Sequence, residues 1–134
     1  MQYSTAIRDA QNNQVEATAG TAVIARVYNG SMPANCAAAL SGNTLLAQGS
    51  LPSDWLTASS AGVISKNGAW TLTGQAGAGA GTAGTFFRIY DSGDTTCHIQ
   101  GTFGAGSDMV PDNNNIANAQ TVTITQFDVT RGNG

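Results

Sequence analysis

TFFRIYD (85–91), TTCHIQGTF (95–103) and TVTITQFDVT (121–130) decide the reading of this chain. Each is rich in β-branched and aromatic residues, each alternates, and each is bounded by turn residues. Ser92, Gly93 and Asp94 sit between the first two and predict a hairpin turn. Strict alternation places Phe87 and Ile89 on one face and Phe86, Arg88 and Tyr90 on the other. It likewise sets Cys97 and Ile99 against His98 and Gln100. In the last strand it sets Val122, Ile124 and Gln126 against Thr123, Thr125 and Phe127.

Upstream, the same pattern is weaker but recurrent. TAVIARVYNG (21–30) predicts a strand with Val23, Ala25 and Val27 on one face, closed by Asn29-Gly30. TLLAQGSL (44–51) predicts another, ended by Pro52. GVISKNGAWTLTG (62–74) reads as a hairpin around Asn67-Gly68, with Trp70 and Leu72 sharing a face. Trp55 is expected to plug one end of the core, and Ile116 to anchor the polar stretch before the last strand. Residues 4–18 form the one expected helix. Ser4 is its N-cap, Gly20 its stop, and Ile7, Ala10, Gln14 and Ala17 share a face. That stripe is thin, so the helix needs tertiary packing, along the sheet or on a neighbouring subunit as an arm. The expected fold is mainly β: an antiparallel β-sandwich or jelly roll with one short N-terminal helix, in a single domain over residues 1–134.

Composition narrows the function classes. Charged residues make up 10% of the 134, against about 25% in a typical domain. A surface so poor in charge suits self-association or assembly. The net charge is −3, Lys66 is the one lysine, and Arg8, Arg26, Arg88 and Arg131 are scattered. No basic stripe offers itself to nucleic acid, and no apolar run is long enough to span a membrane. The N-terminus MQYSTAIRDAQ has no apolar signal region, so synthesis and use in a cytosol-like compartment are expected, with later residence in a particle left open. Cys36 and Cys97 cannot make a structural zinc site by themselves. A disulfide is open in principle, but two free, mostly buried thiols are the expectation.

The chemistry-bearing residues are few. Gly79-Ala80-Gly81-Thr82-Ala83-Gly84 matches G-x-G-x-x-G in letters, but a strand follows it where a dinucleotide site needs a helix. His98 is the sole histidine; its neighbour Cys97 is expected on the opposite sheet face, which excludes a simple Cys–His pair. Asp91/Asp94 and Asp108/Asp112 lie in turns and lack the ligand ladder of a calcium loop. The aromatics fit a small β-core, with a sugar-stacking face as the alternative. No catalytic residue, metal or cofactor is expected. The Gly/Ala-rich stretch 74–84 is expected to be an exposed, flexible loop that orders against a partner. Ile7, Ala10 and Gln14 on the helix, with Gly77, Gly79, Gly81 and Gly84 on this loop, are therefore the candidate interface residues.

YSTAIRDAQ at the start, FFRIYDSGDTTCHIQGTF in the hairpin and NNNIANAQTVTITQFDVT at the end together resemble a family of small virion structural proteins of tailed bacteriophages. The shared order is helix, strand, a middle rich in small residues, an FRIY-type hairpin and a Q-T-V-T-I-T strand. The resemblance implies a non-enzymatic capsid decoration, or cement, protein with a jelly-roll-like fold. Its partners would be the major capsid protein or another virion protein and further copies of itself, and its location the virion, assembled in the host cytoplasm. A tail, head–tail connector or fibre-associated component shares the same fold logic. A carbohydrate- or receptor-binding module is the further alternative.

Overall fold

The computed structural model describes residues 1–133. Helix α1 (Thr5–Ala19) is followed by ten strands: β1 (Ile24–Tyr28), β2 (Leu45–Ser50), β3 (Val63–Ser65), β4 (Trp70–Gly74), β5 (Thr82–Ala83), β6 (Phe86–Tyr90), β7 (Cys97–Thr102), β8 (Met109–Pro111), β9 (Asn115–Ile116) and β10 (Thr121–Thr130). The protein is mainly β, antiparallel, with one N-terminal helix. The principal sheet runs β3-β10-β4-β2-β1-β6-β7, with β8 pairing β10 from its other side. A bridge between Phe103 and Met109 brings the end of β7 to β8. The sheet thus curls until β7 and β10 nearly meet.

Its concave side holds the core. Val23, Ala25, Val27, Leu46, Leu72, Phe87, Ile89, Val122 and Ile124 all point there. An aromatic ladder runs through the middle: Trp55–Trp70 at 5.9 Å, Trp70–Phe127 at 5.0 Å and Phe87–Phe127 at 5.7 Å between ring centroids. Trp55 closes one end, its Nε1 donating to the Gly20 carbonyl at 2.9 Å. Ile116 is fully buried, as its anchoring role requires. Both tryptophans are fully buried too, which removes them from any exposed sugar-stacking face.

Asn67-Gly68 does not make a hairpin turn. β3 and β4 never pair with each other; both pair with β10. Thr121 lies opposite Thr73 and Asp128 opposite Ser65, while Lys66 N donates to Phe127 O at 2.9 Å. Residues 63–74 are therefore one extended run alongside β10, offset by one residue where it passes Asn67-Gly68. Gly68, at φ +71°, supplies the left-handed residue of the irregularity. Asn67 uses its side-chain amide to hold Asp54, and its backbone N–H donates to Trp55 O. The core needs Trp70 and Leu72 against β10, and that burial outweighs the local preference for a turn.

Two bulges break the expected alternation. In the β6–β7 ladder Ile89 faces Ile99 but Tyr90 faces Cys97, so His98 is an extra residue. Cys97 consequently shares the convex face with Gln100, not the concave face with Ile99. In β10 the register against β8 slips between Ile124 and Gln126. Phe127 turns inward, buried to 3% exposure, and Gln126 turns out.

The convex face of β1 and β6 has a cover of its own. Tyr28 and Phe86 stack there at 5.3 Å, and the chain between Asn29 and Thr44 folds over them. Arg88, 4% exposed, is the fastener. Its Nε donates to Gln100, and its Nη2 donates to the carbonyls of Asn35 (3.1 Å) and Ala38 (2.8 Å). Gln100 in turn donates to Pro33 O at 2.7 Å. A buried guanidinium is tolerated because its Nε and Nη2 donors are met in this fixed fork.

Candidate interaction surfaces

Helix α1 begins as its sequence predicts. Ser4 Oγ accepts from Ile7 N, and Gly20, at φ +92°, ends the helix with its N–H on Glu16 O. The face it buries is the unexpected one. Asn12 and Ala19 are buried, with Arg8, Asp9, Val15 and Glu16 half-buried beside them. This face docks mainly through hydrogen bonds to the segment before β3. Asp9 Oδ1 accepts from Gly62 N (2.7 Å) and Ser59 Oγ (2.8 Å). Asn12 Nδ2 donates to Gly62 O at 2.8 Å. Glu16 Oε1 accepts from Trp55 N at 2.7 Å and Leu56 N at 3.2 Å. The Gly62 N–H and the Ser59 hydroxyl on Asp9 favour its ionised form and hold its pKa below the usual carboxylate range. The helix is thus fastened to its own domain and is not a free arm.

Because the polar face is turned in, the Ile7, Ala10, Gln14 and Ala17 face is turned out. All four are exposed, Ile7 to 48%. Beside them lies a groove. Between Cys97 and Gln100, β7 pairs only with β6, while the end of β10 pairs with β3. The curled sheet is open at that point, and α1 lies across the opening with Val15 and Ala19 on the core. The groove is lined by Gln11, Gln14, Val15 and Thr18 of the helix, by His98 and Ile99 of β7, and by Val129 and Arg131. A shallower hollow continues from it along Ile7, Ala10 and Gln11. His98 reaches the groove because of the bulge that also separates it from Cys97.

The glycine-rich stretch lies at the opposite end of the curled sheet. β1 leaves the helix end and finishes beside it, and Gly74 ends β4 there. It is not a flexible exposed loop. Residues Ala76–Ala78 form a single 3-10 turn, β5 pairs with β9, and Ala78 is buried. Gln75 N donates to Leu46 O, and Asn118 N to Gly79 O. The glycines are there for close approach. A Cβ on Gly77 would lie 2.6 Å from Thr44 Cγ2, and one on Gly84 2.7 Å from Phe103. Gly84 is buried and cannot meet a partner; Gly77, Gly79 and Gly81 are exposed. The seven candidate interface residues therefore fall into two sets at opposite ends, and one of the seven is internal.

All eight acidic residues accept hydrogen bonds from the protein itself. Besides Asp9 and Glu16, Asp54 holds Asn67, Asp91 holds Thr95, Asp94 pairs with Arg26, Asp108 caps Thr102, Asp112 accepts from Thr123 N and Asp128 from Ser65. Asp91 is held below the usual carboxylate range by the Thr95 backbone N–H and hydroxyl. Sequence reasoning recognised Asp91 as a turn residue but missed Asp9, Asn12 and Glu16 as docking groups. Their i, i+3, i+7 spacing was the available signal, hidden because a docking face is sought among apolar residues. Among the described residues no helix is long and apolar enough to cross a membrane. No protein-family model, no curated protein and no solved structure matches this chain.

Proposed function

We propose that this protein is a non-enzymatic structural component of a virion that binds the outside of a capsid and stabilises it. The observation that carries this reading is the use made of charge. All eight acidic side chains accept hydrogen bonds from the protein itself, so the few carboxylates on the surface are already partnered, and a groove of mixed polar and apolar lining lies at one end. Such a surface fits repeated contact with identical neighbours, where unpaired charge would have to be desolvated. The resemblance of YSTAIRDAQ, the 86–103 hairpin and the last strand to tailed-phage virion proteins supplies the class of partner. Two contact regions at opposite ends suit a molecule that bridges neighbours in a lattice. Contacts made only in the assembled shell stabilise that shell by mass action.

The test is the copy number of this chain in purified particles, by quantitative mass spectrometry against the major shell protein. Near-stoichiometric abundance is the expected result. A copy number fit for one ring or a few fibres would move the role to the tail or the head–tail connection. Absence from particles would overturn the reading.

A further inference from the structure

We propose that Cys36 and Cys97 are partners in an intramolecular disulfide that forms when the protein meets an oxidising medium. Their nearness follows from the architecture. The bulge at His98 puts Cys97 on the convex face, opposite Tyr90 and diagonal to Arg88. Arg88 grips the carbonyls of Asn35 and Ala38, one on each side of Cys36, while Gln100 grips Pro33. The covering segment is thereby pinned at three carbonyls with Cys36 set down beside Cys97. Both thiols are free and half-buried. Burial and the neighbouring Cys36 thiol push Cys97 up to about 12, and the Arg88 guanidinium opposes that shift. Cys36, carried on the covering segment outside the strands, starts the exchange.

The step balances with a disulfide oxidant such as oxidised glutathione. The Cys36 thiolate attacks one glutathione sulfur and releases the other half as a thiolate, which takes a proton. Cys97 then gives up its proton as its sulfur attacks Cys36, and the second glutathione leaves as a thiol. The protein loses two hydrogens and two electrons; one oxidised glutathione becomes two reduced. The product ties the cover over Tyr28 and Phe86 to the edge strand β7, closing the long loop between residues 36 and 97. A cross-link that spans so much chain restricts the unfolded state strongly.

The native protein is incubated with oxidised glutathione and read by intact mass, by peptide mapping and by thermal melting. The expected result is the loss of two hydrogens, a Cys36–Cys97 peptide, and a melting temperature raised by about 10 °C. Cys36→Ser and Cys97→Ser should show no such rise under the same treatment. The mass of the wild-type protein decides the matter even if either variant folds poorly. Stable glutathione adducts at both cysteines, a disulfide between two molecules, a bond that forms only after denaturation, or a melting temperature lowered by the cross-link would each overturn the proposal.

Discussion

Asp9 shows how a single side chain acts in this protein. Its pKa is lowered in the folded state by Gly62 N–H and Ser59 Oγ, so it stabilises the fold at pH above its unfolded value. That contribution is lost as pH falls through the lowered folded value. Asp9→Asn should therefore lower the melting temperature at pH 7, and the gap to wild type should close as the pH drops below about 4. A gap that stays constant from pH 7 to pH 3 would show that the charge plays no part. Gly74 acts through absence of a side chain. A Cβ there would lie 1.9 Å from Ala117 O, a backbone atom that cannot swing aside. Gly74→Ala should cost about 3 kcal/mol, measured by urea denaturation, through forced separation of β4 from the 117–120 turn.

At the scale of the element, α1 departs from the usual amphipathic rule. Its inward face sets Asp9, Asn12 and Glu16 beside Val15 and Ala19, and its outward stripe contains Ile7. Removing Glu16 would leave the N–H groups of Trp55 and Leu56 without their acceptor. Glu16→Ala should cost about 1–3 kcal/mol and loosen the helix before the sheet, visible as faster amide exchange in α1 than in β1. Equal loosening of both would mean the helix is integral to the cooperative unit. The composition of the glycine-rich stretch predicts a flexible loop, yet its glycines allow backbone to pack on Leu45 and on residues 115–118. Deleting residues 75–83 should therefore lower stability, because the β5–β9 pair and the Gln75–Leu46 bond go with it.

For the molecule as a whole, the two ends of the curled sheet are the places to look for partners. Ile7→Asp combined with Ala10→Asp changes only exposed positions at the helix end. The double variant should melt within about 2 °C of wild type. Its binding to purified shells, read by co-sedimentation, should fall by about tenfold or more if this end seats on a neighbour. Unchanged sedimentation would move the contact to the opposite end, at Gly77, Gly79 and Gly81.

The amino-acid sequence by itself determined that the chain is mainly β, that α1 starts at Ser4 and stops at Gly20, and that 86–102 is a hairpin. Those features rest on neighbours in sequence: caps, alternation and turn residues act within a few positions. The last strand, Trp55 as an end plug and Ile116 as an anchor were legible for the same reason. Only the tertiary structure decided that Asn67-Gly68 bends one long run, since the residues of β10 that pair with 63–74 lie 48 to 67 positions further along the chain. It also decided that single-residue slips at His98 and before Gln126 exchange the faces of Cys97 and Phe127. A slip of one residue leaves no mark in composition, yet it reverses every later side chain in a strand. The helix's polar docking face and the nearness of Cys36 to Cys97 belong to the same class, set by which distant backbone groups each segment happens to meet.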